Sequence, residues 1–227
     1  MLIVGFGKLA RMVTSVNKDV ETFYVYNRTK EKVVEAKKKN RNIHIVTPDQ
    51  FSSFQHIFLA LPPDGLITFF QQYGAFFQEN SLFFHTATGL TKEEVETYLP
   101  GHRVIPLKYA GHALQAMREN NGNTFVIPPG YEKERQIIEH WLGSAFSVVT
   151  GTEEEVLVAN QVAVEETMKL VAQVTERLDE RKIPKSIQEA ALSHIPAGVI
   201  HAHLAGEHGA FAKKILEQWQ KEKRDET

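Results

Sequence analysis

A chain of 227 residues, 42% hydrophobic and 24% charged, has the composition of a globular protein with one large or two small domains. A formal net charge of -2 gives no electrostatic footprint for nucleic acid or an anionic membrane. No cysteine is present, which excludes disulfides, thiolate metal sites and cysteine nucleophiles and fits a reducing, cytoplasmic setting.

The elements follow in chain order. Met1-Leu2-Ile3-Val4 runs straight into a glycine turn, so it reads as a first strand and not as a leader. A helix is expected from Lys8 to about Val16, then a strand at Phe23–Tyr26 and a charged helix over Lys30–Lys39. Ile43–Val46 and Ile57–Leu61 read as strands, Gly65–Phe77 as a helix, and Ser81–Phe84 as a strand. Lys92–Leu99 reads as a helix before the strand Arg103–Ile105. Thr124–Ile127 and Phe146–Val149 are late strands flanking a helix over Glu132–Leu142. Strands alternating with helices imply βαβ units and a mainly parallel sheet, a Rossmann-type α/β domain over residues 1–150.

Beyond Gly151 the pattern becomes helical. Glu153–Glu180 carries Val156, Leu157, Val164, Met168, Val171, Val174 and Leu178 at helical spacing. Ile183-Pro184 ends that helix, Ser186–Leu192 and Ala202–Gln220 follow as helices, and Lys221–Thr227 is a polar tail expected to fray. Residues 151–227 are thus expected to form a small all-helical domain. No stretch approaches the roughly 18 apolar residues of a membrane span.

Gly5-Phe6-Gly7-Lys8-Leu9-Ala10 matches the dinucleotide turn G-x-G-x-x-G/A between a strand and a helix. The first glycine permits the tight turn, and the second lets pyrophosphate approach the backbone. Ala10 keeps helix and sheet close, and the helix N-terminus offers N–H groups to phosphate. A turn that is only structural would use the same glycines, but the strand–turn–helix–strand context favours cofactor binding. NAD-binding folds usually place an acid at the end of the second strand for the ribose 2′-OH. Tyr26-Asn27-Arg28-Thr29-Lys30 stands there instead. Asn27 and Thr29 are potential donors to a 2′-phosphate, and Arg28 and Lys30 its counter-charges, so the sequence favours NADP(H) over NAD(H). A helix cap followed by solvated charges is the plain alternative.

The segments Val4–Ala10, Tyr26–Thr29, Phe58-Leu59-Ala60-Leu61-Pro62-Pro63 and Thr86-Ala87-Thr88-Gly89-Leu90 occur in order. Together they resemble the first domain of pyrroline-5-carboxylate reductases and their competence-associated relatives, over about residues 1–107. The resemblance implies that Ala60, Leu61 and Pro62 border the ribose and nicotinamide, and that Thr86, Ala87, Thr88 and Gly89 face the nicotinamide edge. Independently, ligands of open α/β sheets sit at strand carboxyl ends, where both segments lie. The family's Met-Pro-Asn after the sixth strand is replaced by Pro106-Leu107-Lys108-Tyr109-Ala110-Gly111-His112, and its Ser-Gly-Ser-Gly-Pro-Ala and Pro-Gly-Gly-Thr-Thr segments are absent. The long helix is also similar to that of β-hydroxyacid dehydrogenases, keeping Asn160 of their Lys-x-x-Asn but with Leu157 at the lysine position.

Hydride transfer needs a proton donor and a group that orients the substrate. Lys108 and His112 follow a strand end expected to face the nicotinamide, which makes them the catalytic candidates; a surface lysine and a helix start are the bland readings. No metal site is expected. His194, His201 and His208 are spaced by seven, about 10.5 Å along a helix, and His203 with Glu207 supplies too few ligands. A histidine of this half reaching a substrate cleft is the alternative role.

The expected function is an NADP(H)-dependent oxidoreductase that transfers hydride to or from a small carbonyl or imine bound between the domains. The alternative is a catalytically degenerate NADP-binding sensor or regulatory dimer. A homodimer through the helical half is expected from the long helix's apolar side, opposite Glu153, Glu154, Glu165, Lys169 and Glu176, and is also what the resemblance implies; packing of that side against the edge of the Rossmann sheet is the alternative.

Overall fold

The computed structural model describes residues 1–225. It divides into two compact units, residues 1–162 and 163–227.

In the first unit, strands β1 (Leu2–Val4), β2 (Phe23–Tyr26), β3 (Ile43–Ile45), β4 (His56–Leu59), β5 (Leu82–His85) and β6 (Arg103–Pro106) form one sheet. All neighbours pair in parallel, in the order β3-β2-β1-β4-β5-β6. This is the doubly wound Rossmann order, with the chain reversing direction across the sheet between β1 and β4. Alternation along the strands divides the core between two faces. Ile3, Val25, Phe58, Phe84 and Ile105 pack with α1 (Lys8–Val16), α2 (Lys30–Lys39), α5 (Ala113–Glu119) and α6 (Glu132–Leu142). Leu2, Val4, Ile57, Leu59, Phe83 and Val104 pack on the opposite face with α3 (Pro63–Tyr73), α4 (Lys92–Glu96) and a short 3₁₀ segment at Pro48–Ser53. Both faces are covered, which is why these strands read as unbroken apolar runs.

A second sheet contains β7 (Lys108–Ala110), β8 (Asn123–Ile127) and β9 (Phe146–Thr150). Its β7 pairs antiparallel with β8 and was not among the expected strands. The start of α7 (Glu153–Glu180), as far as Val162, belongs to the first unit, so the division between the two units falls inside this helix. The physical cause is anchoring: Val156 is buried, and Asn160 Nδ2 donates to Tyr109 O at 3.0 Å.

The second unit contains the rest of α7, α8 (Lys185–Leu204) and α9 (Ala210–Asp225). Here the structure corrects two expectations. The segment Ala202–Gln220 is not one helix: α8 runs on through Pro196 to Leu204 and stops where Gly206 takes φ +71. The tail is helical as far as Asp225, and Glu226 and Thr227 lie outside the described residues. Among the described residues, no helix is long and apolar enough to cross a membrane.

Candidate functional site

The chain leaves β1 through Gly5 at φ +93, and a Cβ there would stand 2.5 Å from the carbonyl oxygen of Ala60. Only glycine fits, because both the left-handed backbone and the approach of β4 forbid a side chain. Gly5 N–H donates to Tyr26 O (2.9 Å), and Ala60 N–H donates to Val4 O (2.8 Å). The ends of β1, β2 and β4 are therefore fastened together at one point. Phe6 N–H donates to Asn27 Oδ1 (2.9 Å), while Asn27 Nδ2 donates to Thr29 O (2.8 Å). Asn27 thus clasps the glycine turn to the end of β2.

Gly7 is the N-cap of α1 and has a different reason to be glycine. Its φ is -81, and a Cβ would meet nothing within 4 Å. That helix has no side-chain cap and no acid in its first turn. Its leading N–H groups, which have no intrahelical acceptor, therefore face an anion-ready space.

A cleft of about 270 Å³ opens at this point. Gly5, Phe6 and Gly7 line it, with Asn27, Arg28 and Thr29 from the end of β2 and Ala60, Leu61 and Pro62 from the end of β4. The structure thus brings together nine residues named from sequence. It adds Tyr26, Lys32 and one face of α3, formed by Gly65, Thr68, Phe69, Gln72 and Tyr73. Those α3 residues recur at the three-four spacing of a helix face, a signal that was present in the sequence. Arg28 and Lys32 bring positive charge, and no carboxylate is among the described residues lining the cleft. Burial, reinforced by a hydrogen bond with Tyr73, pushes the Tyr26 phenol above its ordinary range and keeps it neutral.

Lys8, Leu9 and Lys30 flank this cleft without lining it. Thr86, Ala87, Thr88 and Gly89 also lie outside its lining, in the turn that follows β5. Thr86 Oγ1 donates to Leu59 O (2.7 Å), and a Cβ on Gly89 would lie 3.6 Å from Pro63 Cγ. The turn therefore sits beside the end of β4 and the start of α3. Neither catalytic candidate lines the cleft. His112 is exposed and caps α5, its Nδ1 accepting from Gln115 N–H at 3.4 Å.

Lys108 is not the surface lysine of the bland reading: it is 1% exposed. Its ammonium donates to the carbonyl oxygens of Ala87 and Leu90 (2.9 Å for the latter) and pairs with Glu153 Oε1 at 2.8 Å. His85, fully buried, places Nε2 3.1 Å from the same carboxylate oxygen, and Glu153 Oε2 accepts Lys92 N–H (3.2 Å). The carboxylate accepts from His85 only if Nε2 carries the ring proton. Burial, then the Lys108 charge, hold His85 below its usual range despite Glu153, so its ring is neutral. Burial also lowers Lys108, which Glu153 opposes. Burial alone would raise Glu153, but hydrogen bonds from His85 and Lys108, the Lys108 charge and the Lys92 N–H outweigh it and hold the carboxyl at about 2. Nothing in local sequence pattern marked His85 or Glu153, which are 68 positions apart.

Among the described residues, no group of three or more His, Asp or Glu side chains is placed to hold a metal. His203 Nδ1 and His208 Nε2 lie 3.1 Å apart as a pair.

No protein-family model and no curated protein matches the sequence. Solved structures do match in fold. A pyrroline-5-carboxylate reductase from Coxiella burnetii superposes with a TM-score of 0.71 at 15% identity, covering 99% of this chain and 91% of that one. A Plasmodium falciparum pyrroline carboxylate reductase with NADP bound gives 0.65 at 11% identity, over 99% and 89% of the two chains. An imine reductase from Myxococcus stipitatus in complex with NADP+ gives 0.63 at 17% identity, over 97% and 77%. The chain has the fold of these reductases: a Rossmann sheet followed by helices.

Proposed function

We propose that the first unit binds NADP(H) and that the protein is an oxidoreductase transferring hydride to or from a small carbonyl or imine. The observation that carries this reading is the space in front of Gly7, where an uncapped helix N-terminus opens beside a cleft that contains Arg28 and Lys32 but no carboxylate. The N–H groups at the start of α1 would hold the pyrophosphate, and Arg28 and Lys32 the 2′-phosphate. Ala60–Pro62 would border the ribose, and the 86–89 turn the nicotinamide edge. The bound nicotinamide would supply the hydride acceptor or donor; the chain's part is to bind, orient and exclude water. Two neighbours in fold carry NADP in their own structures, which supports the same choice here. A cytoplasmic location and a homodimer formed through the second unit belong to the same proposal.

Fluorescence titration with NADPH and NADH tests it. NADPH is expected to bind more tightly than NADH, and Arg28→Ala to weaken NADPH by about tenfold or more while leaving NADH nearly unchanged. Binding of neither nucleotide at millimolar concentration would overturn the reading, and equal losses for both would remove Arg28 from its role.

A second reading, a catalytically silent NADP(H) sensor, is favoured by one observation. Lys108 is buried among acceptors of its own chain and His112 caps a helix outside the cleft, so neither candidate presents a proton to it. Oxidation of NADPH across a panel of small carbonyls and imines separates the two readings. Turnover of any member excludes the sensor.

A further inference from the structure

Building on the NADP(H) reading, we propose that Lys108 is a positioning residue that acts through the 86–90 turn, fixing it against the nicotinamide end of the cofactor with Glu153 and His85 as its buried partners.

An ammonium has three hydrogens to donate. Lys108 has three oxygen acceptors of its own chain around it, Ala87 O, Leu90 O and Glu153 Oε1, and His85 Nε2 also stands 3.0 Å from its ammonium. The two carbonyls stand on either side of Thr88 and Gly89, the exposed tip of the turn. Lys108 therefore grips both feet of the tip at once. Glu153 extends the grip, since its carboxylate stands 3.1 Å from His85 Nε2 just before the turn and accepts Lys92 N–H just after it. Thr86 adds a bond from the other side, Oγ1 to Leu59 O. Every segment entering or leaving the turn is thus tied to one buried charge cluster.

The strand before the turn does not need this cluster to stay in place. Leu82–His85 already pairs on both sides, with His56–Leu59 and with Arg103–Pro106. A buried ion pair is also a poor source of stability compared with apolar packing of similar volume. What the cluster adds is a fixed backbone course through residues 86–90, next to the strand end that borders the cleft. A loose turn would have to be ordered each time a nicotinamide ring arrived, at a cost in affinity.

The experiment uses the full chain and two ligands. NADPH carries both ends of the cofactor, whereas adenosine 2′,5′-bisphosphate carries only the adenine and 2′-phosphate end. Lys108→Met is expected to weaken NADPH by about tenfold, the effect of about one charge-assisted hydrogen bond, and to leave adenosine 2′,5′-bisphosphate unchanged. Glu153→Gln is expected to produce a smaller loss of the same pattern. A general loosening of the fold would weaken both ligands together, so equal losses, or no loss for NADPH, overturn the proposal. Lys108→Met combined with Glu153→Leu removes the stranded carboxylate and guards against misfolding. If all three variants fail to fold by circular dichroism, the cluster is structural and the proposal falls. Failure of the unaltered protein to bind either ligand instead defeats the NADP(H) reading, and this proposal with it.

Discussion

Gly5 and Gly7 occupy the same motif but answer to different constraints, and substitution separates them. Gly5 combines φ +93 with a Cβ position 2.5 Å from Ala60 O. Gly5→Ala therefore adds left-handed strain of about 1–2 kcal/mol to a backbone clash, and a loss of at least about 2 kcal/mol in unfolding free energy is expected. Gly7→Ala meets no neighbour and keeps an ordinary φ of -81, so it should cost no more than about 1 kcal/mol, the effect of a poorer N-cap. Its methyl group would nevertheless enter the space assigned to pyrophosphate, and NADPH affinity should fall by more than tenfold. Chemical denaturation alongside NADPH titration measures both. A Gly7→Ala protein that binds NADPH like the unaltered one would remove the pyrophosphate from that space. Asn27 shows where residue-level reading of the sequence stopped short. Beyond the donor role expected of it, its oxygen accepts Phe6 N–H and its Nδ2 donates one hydrogen to Thr29 O, a use that depends on the two strand ends being adjacent.

At the scale of elements, the six parallel strands and their helices were legible because burial on both faces makes each strand a short apolar run between amphipathic segments. Strand β7 was not, since it spans only Lys108–Ala110 and opens with a charge that is neutralised by a carboxylate from a distant helix. Gly206 falls within a stretch expected to be one helix, yet it supplies the stop after α8, a helix that absorbs Pro196 in its interior. The start of α7 carries a prediction of its own. Glu153 is held at about 2, below its ordinary value of 4.5, so its contribution to stability is complete above pH 4.5 and is lost as pH falls towards 2. His85 is also lowered, from 6.5, and because the unfolded ring takes up a proton first, its contribution is likewise lost with falling pH, beginning near 6.5. Both signs agree. Urea unfolding between pH 7 and pH 3 should therefore show steep acid destabilisation, and Glu153→Gln should flatten it below pH 4.5. An acid limb unchanged in that variant would mean that the carboxylate contributes nothing to folding.

At the scale of the molecule, the second unit raises a problem of burial. Among its described residues only Gln188 is fully buried, its amide donating to Asp179 Oδ1 (2.7 Å) and Ile183 O (2.8 Å). The apolar side chains are on the outside: Val164, Met168 and Ile195 are each more than 60% exposed, and Leu204 and Phe211 reach 79%. A helical segment of this size without an apolar core has little to offset its ordering entropy, whereas burial contributes about 1.5–3 kcal/mol for each large apolar side chain removed from water. A second copy of the chain would supply such a surface in the commonest way, through a two-fold interface that pairs the same patch on both subunits. The expected particle in solution is twice the 25.7 kDa chain. Met168→Glu with Ile195→Glu places charges on the exposed apolar positions of α7 and α8 and should shift sedimentation towards the monomer. NADPH binding should survive this change, because the cleft is lined wholly by residues of the first unit. A chain that sediments as a monomer at tens of micromolar before any substitution would exclude the dimer and leave the exposed side chains of α7 and α8 without a partner of their own kind.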